Sequence, residues 1–289
     1  MHDVVKHMLE KYPCHSQQDY TNALKEIFQE IALLGLWRAK FFEKAAFYGG
    51  SALRILYGLN RFSEDLDFSL LAEDKNFSLE PYNKAVTREL LAFGFEASVD
   101  TKVKAKKTDI ESAFIKANVK KQFIAIETPL NIINVVHRMQ TIKIKMEVDT
   151  TPPGLFNTET KFLLQPIPFS VKSFTPTCMF SGKIHALLCR PWIHRVKGRD
   201  WYDFIYFISR NIPVNLPHLQ QRLVQSGAQE EGGPFSKDIL LELLKTTIQR
   251  TDFDKAKADI SPFIKDTSSL NIWSETFFLS LLDQLTTVD

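Results

Sequence analysis

The 289-residue sequence has few of the features that would assign a protein to a specialised class at once. Its three cysteines have no paired spacing, which argues against a disulfide framework or a zinc site and is typical of a reducing compartment. No apolar run approaches the roughly 20 residues of a membrane span, and the amino terminus carries acids where a signal peptide needs an apolar core. The sequence therefore predicts a soluble, cytoplasmic protein with no membrane partner.

A strong charge of one sign is also missing, because the formal net charge is only +2. Basic residues nevertheless concentrate in two runs, 101–145 and 183–199, and the second run contains no acid. Either run alone is typical of a solvated protein surface. Beside a phosphate-binding motif, the two runs would favour a polyanionic partner such as nucleic acid.

The most informative stretch of the sequence is 47–68. It begins with a short apolar run, continues with Gly49-Gly50-Ser51, and then shows a helical pattern of apolar residues. A glycine turn that opens a helix presents backbone N–H groups and the positive end of the helix dipole. This arrangement suits a triphosphate, although a lone Gly-Gly-Ser sequence is a weak signal.

The second half of this stretch, 63–68, reads as a strand. Alternation would place Ser63, Asp65 and Asp67 on one face. Carboxylates at i and i+2 lie about 6.6 Å apart along a strand, where they repel each other in the absence of a cation. An isolated Asp-x-Asp pair is more often a solvated edge strand. Next to the glycine turn, it predicts a site for two metal ions in phosphoryl or nucleotidyl transfer.

The glycine turn followed by this acidic segment resembles the signature of the polymerase-β-type nucleotidyltransferase superfamily. The longer string 49–68 resembles, more narrowly, the AbiEii/AbiGii toxin family of nucleotidyltransferases. That family commonly has Thr where this chain has Ser51, a change that keeps the hydroxyl. The resemblance implies that Asp65 and Asp67 are catalytic and bind metal, with Arg54 as a second candidate beside Arg61 for contacting phosphates. The nucleotide-binding residues that it implies are Gly49, Gly50, Ser51, Arg61, Ser63 and Lys183.

The superfamily requires a third carboxylate on a neighbouring strand, and segment 141–150 offers two candidates. Apolar and charged residues alternate cleanly along it, which a half-solvated strand would also show. Glu147 and Asp149 lie on the charged face, and the spacing does not decide between them. We predict Glu147 as the third metal ligand and keep Asp149 as the alternative.

A third motif lies in a predicted helix that begins at Thr175-Pro176. Lys183 at the border of its apolar stripe would ordinarily extend to water. Together with Arg199-Asp200-x-x-Asp203, however, it resembles the family's helix lysine and Arg-Asp-x-x-Asp motif. The resemblance implies catalytic roles near the nucleotide for Lys183 and Asp200. Asp203 is expected to form structural salt bridges.

The hydrophobic patterns predict an α/β (α+β) chain with a helical C-terminal half, and the resemblance implies a mixed, mostly antiparallel sheet flanked by helices. We expect a nucleotidyltransferase domain with an N-terminal helix over 1–174 and a helical C-terminal domain over 175–289. The predicted helices are 16–36, 80–93, 236–250, 254–264 and 270–286, and the predicted extended segments include 45–48, 96–104, 112–119, 122–128 and 162–172.

The resemblance implies an enzyme that transfers a nucleoside monophosphate from an NTP to RNA, with Mg²⁺ or Mn²⁺ as cofactor. The expected acceptor is the 3′ end of tRNA, so that the reaction blocks translation and growth. The expected genetic partner is an antitoxin that acts without a tight complex. Two alternatives stay open: a nucleotidyltransferase that modifies a protein hydroxyl or a small molecule, and a non-catalytic module that binds nucleotides or RNA.

Overall fold

The structure is a computed structural model that describes residues 2–101, 109–190 and 196–289. The lysines between 102 and 107 and Arg195, which belong to the two basic runs, lie outside the described residues. The chain forms two compact units. Unit 1 comprises Met1–Tyr57, Ser63–Pro152 and Glu159–Ser173, and unit 2 comprises Gly58–Phe62, Pro153–Thr158 and Phe174–Asp289.

Unit 1 is built on a mixed sheet with helices packed against it. The strands of the sheet are β1 (Ala45–Tyr48), β2 (Leu66–Leu70), β3 (Ala97–Thr101), β4 (Ile110–Asn118), β5 (Thr141–Asp149), β6 (Thr158–Leu163) and β7 (Phe169–Phe174). The helices are α1 (Asp3–Glu10), α2 (Gln17–Arg38), α3 (Gly49–Tyr57), α4 (Glu80–Ala92), α5 (Val119–Ala125) and α6 (Leu130–Ile133).

The seven strands lie in the order β3-β4-β5-β2-β1-β7-β6. Strand β2 occupies the middle of the sheet, antiparallel to β1 and parallel to β5. Strand β4 is antiparallel to both β3 and β5, and β7 is parallel to β1. The predicted mixed sheet with flanking helices is confirmed, and β2 is in the position where the carboxylates of two neighbouring strands can meet.

The long helix α2 begins as the sequence predicts and covers the apolar face of the sheet. The Ser16 hydroxyl accepts a hydrogen bond from the Asp19 N–H, and the Asp19 side chain caps Ser16 in return. Gly35 lets α2 approach α4 closely, because a Cβ there would lie 2.9 Å from the Val86 Cα. Aromatic rings fill the layer beneath, with the Phe41 and Phe68 centroids 4.9 Å apart.

Two of the predicted extended segments differ in the structure. The predicted strand 122–128 is wrong, because Asn118 ends β4 and its side chain accepts from the Lys121 N–H, starting helix α5. The buried residues Val119, Gln122, Phe123 and Ile126 of this segment recur at helical spacing. The predicted segment 162–172 is two strands, β6 and β7, separated by a turn.

Unit 2 is mostly helical, as the patterns beyond residue 174 predict. Pro176 is the first residue of its first helix, directly after Thr175. A short parallel pair of strands, which the sequence did not suggest, joins the middle of the unit to its end. The elements are α7 (Pro176–Cys189), α8 (Gly198–Ser209), β8 (Val214–Asn215), α9 (Leu216–Gln225), α10 (Lys237–Arg250), α11 (Phe253–Ile260), α12 (Glu275–Leu281) and β9 (Thr287–Val288).

The core of unit 2 is aromatic. Trp201 is fully buried, and its ring centroid lies 5.4 Å from that of Phe253 and 4.9 Å from that of Phe278. Edge-to-face contacts of this kind stabilise a core beyond the area that they bury. Across the described ranges of both units, no helix combines the length and apolarity needed to cross a bilayer.

Candidate active site

The glycine turn between β1 and α3 lies directly against an acidic side chain. Strand β1 ends at Tyr48, and Gly49 starts α3 with φ +83°, a conformation that favours glycine. A Cβ at Gly49 would lie 2.5 Å from Asp67 Oδ2. The turn therefore requires glycine for two reasons, its backbone conformation and the closeness of Asp67. The start of a helix, with its N–H groups, is thus placed beside a carboxylate.

The register of β2 and β5 selects a partner for Asp67. In this parallel pair Asp67 is aligned with Glu147, whereas Asp149 is aligned with Ser69. Aligned residues on neighbouring strands share a face and lie about 5 Å apart. Asp149 Oδ1 also accepts a hydrogen bond from the Thr151 N–H at 3.0 Å, which closes the turn after β5. Glu147 is therefore the better candidate for the third carboxylate.

Glu147 lies on a half-buried, polar face of the sheet. Lys145 Nζ is 2.6 Å from Glu147 Oε1, and the Ser112 hydroxyl donates to the same oxygen at 3.4 Å. Lys145 stands two residues before Glu147 on β5 and therefore shares its face. Its ammonium group offsets part of the repulsion that two neighbouring carboxylates would otherwise experience.

Asp65 lies just before β2 and not within a strand. The expectation that 63–65 continues the strand is wrong, because β2 starts at Leu66. The backbone carbonyls of this segment accept hydrogen bonds from side chains and not from a neighbouring strand. The Ser51 hydroxyl donates to the Asp65 carbonyl, and Gln29 Nε2 donates to the Ser63 carbonyl at 3.1 Å. The segment is thus a loop fixed by two side chains.

Gln29 is a site-supporting residue that the sequence reasoning missed. It is 1% exposed in the middle of α2, and besides the Ser63 carbonyl its amide is 3.5 Å from Ser51 Oγ. Its signal in the sequence is a polar residue at a buried position between apolar neighbours on α2. The Ser51 hydroxyl is itself buried and donates to the Asp65 carbonyl. The nucleotide-binding role of Ser51 stays a prediction, and it would depend on the backbone N–H of this residue.

Unit 2 contains a buried ion-pair cluster built from the third motif. Arg61 forms a bidentate pair with Asp203, with Nε–Oδ1 at 2.6 Å and Nη2–Oδ2 at 2.7 Å. Lys183 Nζ is 2.7 Å from Asp203 and 3.3 Å from Asp200. Arg190 completes the cluster at 2.9 Å from Asp200.

The electrostatics of this cluster favour the charged forms. Burial alone would raise the pKa of Asp203, but Arg61 and Lys183 hold it below its ordinary value. Burial alone would lower the pKa of Arg61, and Asp203 raises it. The structural role expected for Asp203 agrees with these contacts. The guanidinium of Arg61, which also donates to the Phe62 carbonyl at 3.0 Å, is already engaged by protein acceptors.

The predicted site residues therefore fall into two groups. Unit 1 brings together the glycine turn, the loop before β2 and the aligned acids of β2 and β5. Unit 2 brings together the lysine and the acids of the third motif. The first group is Gly49, Gly50, Ser51, Ser63, Asp65, Asp67 and Glu147, and the second is Arg61, Lys183 and Asp200.

The donor chemistry in unit 1 fits a hard divalent cation, because carboxylate oxygens are the ligands that Mg²⁺ prefers. The aligned Asp67 and Glu147 are the observation that supports this fit. Within residues 2–101, 109–190 and 196–289, no three His, Cys, Asp or Glu side chains are grouped closely enough to hold a metal. The ligand set Asp65, Asp67 and Glu147 stays a prediction.

Comparison with solved structures shows the fold. JHP933 from Helicobacter pylori aligns with a TM-score of 0.50 and 16% sequence identity, covering 91% of this chain and 90% of that one. An antigenic nucleotidyltransferase-like protein from Paracoccidioides brasiliensis aligns with a TM-score of 0.42 and 15% identity, covering 84% and 95%. At these identities the likeness concerns the fold alone, and only the alignment with JHP933, at a TM-score of 0.50, is used to support it.

Comparison with sequence families gives the identity. No curated protein matches the chain significantly. Residues 31–278 match the family described as nucleotidyl transferase AbiEii toxin of type IV toxin–antitoxin systems. The matched region contains the glycine turn, both aspartates of the acidic segment, and Lys183. The chain therefore belongs to the AbiEii family of toxin–antitoxin nucleotidyltransferases.

Proposed function

We propose that this nucleotidyltransferase moves a nucleoside monophosphate from an NTP to RNA, with the 3′ end of tRNA as acceptor, and thereby blocks translation and growth. One observation carries the catalytic part: Asp67 is aligned with Glu147 and touches the glycine turn, in a chain of this family. A phosphate-binding turn next to paired carboxylates is the arrangement that nucleotidyl transfer requires.

The reaction forms one bond and breaks another. The acceptor hydroxyl oxygen attacks the α-phosphorus of the NTP, the bond from that phosphorus to the β-phosphate bridging oxygen breaks, and pyrophosphate leaves. The hydroxyl proton passes to solvent. The N–H groups of Gly50 and Ser51 at the start of α3 would hold the triphosphate. Asp65, Asp67 and Glu147 would hold divalent cations, Mg²⁺ or Mn²⁺, whose positive charge lowers the pKa of the hydroxyl and stabilises the leaving pyrophosphate.

The third motif supplies a further proposed role. Lys183 would place a positive charge on the phosphates, as lysines do in other phosphoryl-transfer sites. Asp200, which lies 3.3 Å from Lys183 and 2.9 Å from Arg190, would orient that lysine. The family's toxin–antitoxin membership supports an antitoxin partner, which we expect to act without forming a tight complex.

The acceptor is proposed from the distribution of charge along the chain. The two basic runs favour RNA, since a cationic small molecule would favour an acidic acceptor pocket. A protein hydroxyl remains the main alternative acceptor for the same chemistry. A non-catalytic binding module is disfavoured, because it has no need for neighbouring carboxylates, which repel each other without a cation.

The test uses purified protein with total tRNA, Mg²⁺ and each labelled NTP in turn, resolved on a denaturing gel. Wild type is compared with Asp67→Ala and with Asp100→Ala. Asp100 is a matched control, since it is a strand aspartate of the same sheet whose ion pair with Lys116, at 3.0 Å, is exposed. We expect label on tRNA with wild type and Asp100→Ala, and a loss of at least about 100-fold with Asp67→Ala.

Label on protein or on a small molecule, with none on RNA, would support the nucleotidyl transfer reaction and show that the acceptor is not RNA. Equal labelling of tRNA by wild type and Asp67→Ala would refute the proposed catalytic role of the carboxylates. A folding check by circular dichroism accompanies each variant, so that lost activity is not confused with lost structure.

A further inference from the structure

A cavity of about 590 Å³ lies in unit 1, away from the carboxylates. The end of α2 and the turn after it form one wall, and strands β6 and β7 form the other. A cavity of this volume is large enough to hold most of a small organic ligand. Its lining side chains include Trp37, Lys40, Thr160, Ser170 and Lys172, together with one acid, Glu43, which is next to Lys40.

The cavity and the glycine turn lie at opposite ends of β1. Lys40 and Phe42 precede the strand, whereas Gly49 follows it. Strand β7 is parallel to β1, with Ser173 aligned to Phe47, so Ser170 and Lys172 lie toward the same end as Lys40. At about 3.3 Å per residue, the four residues of β1 separate the two places by roughly 10 Å or more. The cavity is therefore a separate site.

Aromatic surface is available at the cavity. Trp37, at the end of α2, is 38% exposed and packs against Phe169, with the ring centroids 6.1 Å apart. Phe162 stands two residues after Thr160 on β6 and is 75% exposed, so it extends the same strand face. Exposed aromatic rings held by a rigid scaffold are platforms on which nucleobases stack.

The positively charged side chains at the cavity differ in how strongly they are engaged in ion pairs with acids of the chain. Arg38 makes a bidentate pair with the buried Glu89 at 2.8 and 2.9 Å and is committed to the fold. Lys40 is 3.9 Å from Glu43, and both side chains are well exposed, so this pair is weak. Lys172 makes no ion pair with any described residue. Two ammonium groups are thus available to an anionic ligand.

Hydroxyl groups add to this set. The Thr160 and Ser170 hydroxyls line the cavity and make no hydrogen bond to any part of the chain that the structure describes. Lysines together with hydroxyl donors are typical of phosphate binding. An acidic protein partner could pair with the two lysines, but its binding would not require an exposed aromatic ring. The exposed ring therefore favours a nucleotide over an acidic protein.

We propose that this cavity binds a nucleotide, with the base stacked on Trp37 and the phosphate held by Lys40, Lys172 and the two hydroxyls. The nucleotide is either a free effector or one residue of a single-stranded RNA. The chemistry is the same in both cases, and the experiment separates them. Binding here does not depend on the transfer reaction, since it uses none of the residues assigned to catalysis.

The test measures fluorescence anisotropy of a labelled eight-nucleotide single-stranded RNA and of a labelled mononucleotide, with EDTA present to suppress metal-dependent binding. Wild type is compared with the double variant Lys40→Gln/Lys172→Gln and with Lys237→Gln/Lys245→Gln, which removes two exposed charges on α10. We expect the first pair to weaken binding at least about tenfold and the control pair to have little effect. The salt dependence of log K should also become shallower by about 1.4 for RNA.

A second pair of variants separates stacking from charge. Trp37→Leu should weaken binding about 5- to 100-fold without changing the salt slope, and Trp37→Phe should retain most of the affinity because it keeps a ring. Thermal melts of both variants check that the fold is retained. Ultraviolet crosslinking of a 4-thiouridine RNA followed by mass spectrometry should place the crosslink in the peptide that contains Trp37.

Each outcome has a definite meaning. If the cavity variants weaken the binding of RNA but not of the mononucleotide, the cavity is assigned to an RNA strand. If they weaken the binding of the mononucleotide, it is assigned to a free effector. Binding that none of the cavity variants changes, or crosslinks confined to the peptide of the glycine turn, would refute the proposal. The absence of binding to either probe would refute it as well and would favour a protein partner. If the wild-type protein does not label tRNA, the proposed function fails, but these binding and crosslinking measurements still test the cavity.

Discussion

Asp203 in unit 2 and Asp67 in unit 1 have different neighbours. In unit 2, Asp203 is buried against Arg61 and Lys183, with three contacts between 2.6 and 2.7 Å. In unit 1, Asp67 is aligned with another acid, Glu147, and its Oδ2 lies 2.5 Å from the position that a Cβ at Gly49 would take. Asp203 is thus matched by two cations, whereas Asp67 is aligned with a second acid, which itself contacts Lys145 at 2.6 Å.

This difference separates a structural role from a functional one. A buried acid that is matched by cations keeps its charge and holds its neighbours, so its removal harms the fold. Neighbouring acids repel each other in the absence of a cation, so we expect the aligned pair to contribute little to stability. Stability measurements on matched variants can therefore test the division without knowledge of the substrate.

The largest effect is expected at Asp203. Asp203→Asn keeps the volume but leaves Arg61 buried without its anion, and it should lower the free energy of unfolding by about 3–5 kcal/mol. Urea denaturation followed by circular dichroism measures this. The double variant Arg61→Met/Asp203→Leu should recover most of the loss, because it removes the buried guanidinium together with its anion, while Lys183 keeps its contact with Asp200 at 3.3 Å. A loss below about 1 kcal/mol for Asp203→Asn would mean that the cluster is not structural.

Glu30 should give the next largest effect, with a dependence on pH. Burial raises its pKa to about 7, and Glu26 adds to this although Lys11 opposes it. Between about pH 4.5 and 7 the unfolded chain releases this proton and the folded chain keeps it, so the folded state loses stability as the pH rises. Glu30→Gln should remove a penalty of about 3 kcal/mol at pH 8 and change little at pH 4.

Melting temperatures of wild type and Glu30→Gln across this range provide the check. The curves should diverge as the pH rises. Parallel curves would show that Glu30 titrates normally in the folded protein.

A smaller effect is expected at Gln29, which supports the loop that contains Asp65. Gln29→Leu removes the donor to the Ser63 carbonyl and should cost about 1–2 kcal/mol of stability. Turnover should fall by more than this stability loss explains, with KM for the NTP little changed, because the loop positions a carboxylate. Gln29→Asn is too short to reach and should not rescue turnover, whereas Gln29→Glu should show whether an acceptor is tolerated there.

The smallest effect on stability is expected at Asp67. Asp67→Asn removes one of two neighbouring like charges and should leave the free energy of unfolding within about 1 kcal/mol of wild type, or raise it. The same urea titration that is used for Asp203→Asn gives a direct comparison. A loss as large as that of Asp203→Asn would break the contrast between the units and show that Asp67 is a structural acid.

Local patterns predicted the elements whose signals lie within a few residues of each other. The cap at Ser16, the start of α7 at Pro176 and the limits of β1 are of this kind. They depend on hydrogen bonds and backbone angles that neighbouring residues satisfy among themselves. The strand predicted for 122–128 is wrong because the apolar residues there fit both the strand and the helix period, and the cap at Asn118 selects the helix.

The glycine turn, the acidic pair and the family could be predicted from the sequence, because these are short motifs whose residue types are dictated by their chemistry. Strand register, which aligns Asp67 with Glu147 across 80 residues of chain, favours Glu147 over Asp149 as the predicted third ligand. The tertiary fold also pairs the Arg61 guanidinium with Asp203, which lies 142 residues away in the sequence. Contacts at such separations follow from the packing of the whole core, and no local pattern records them.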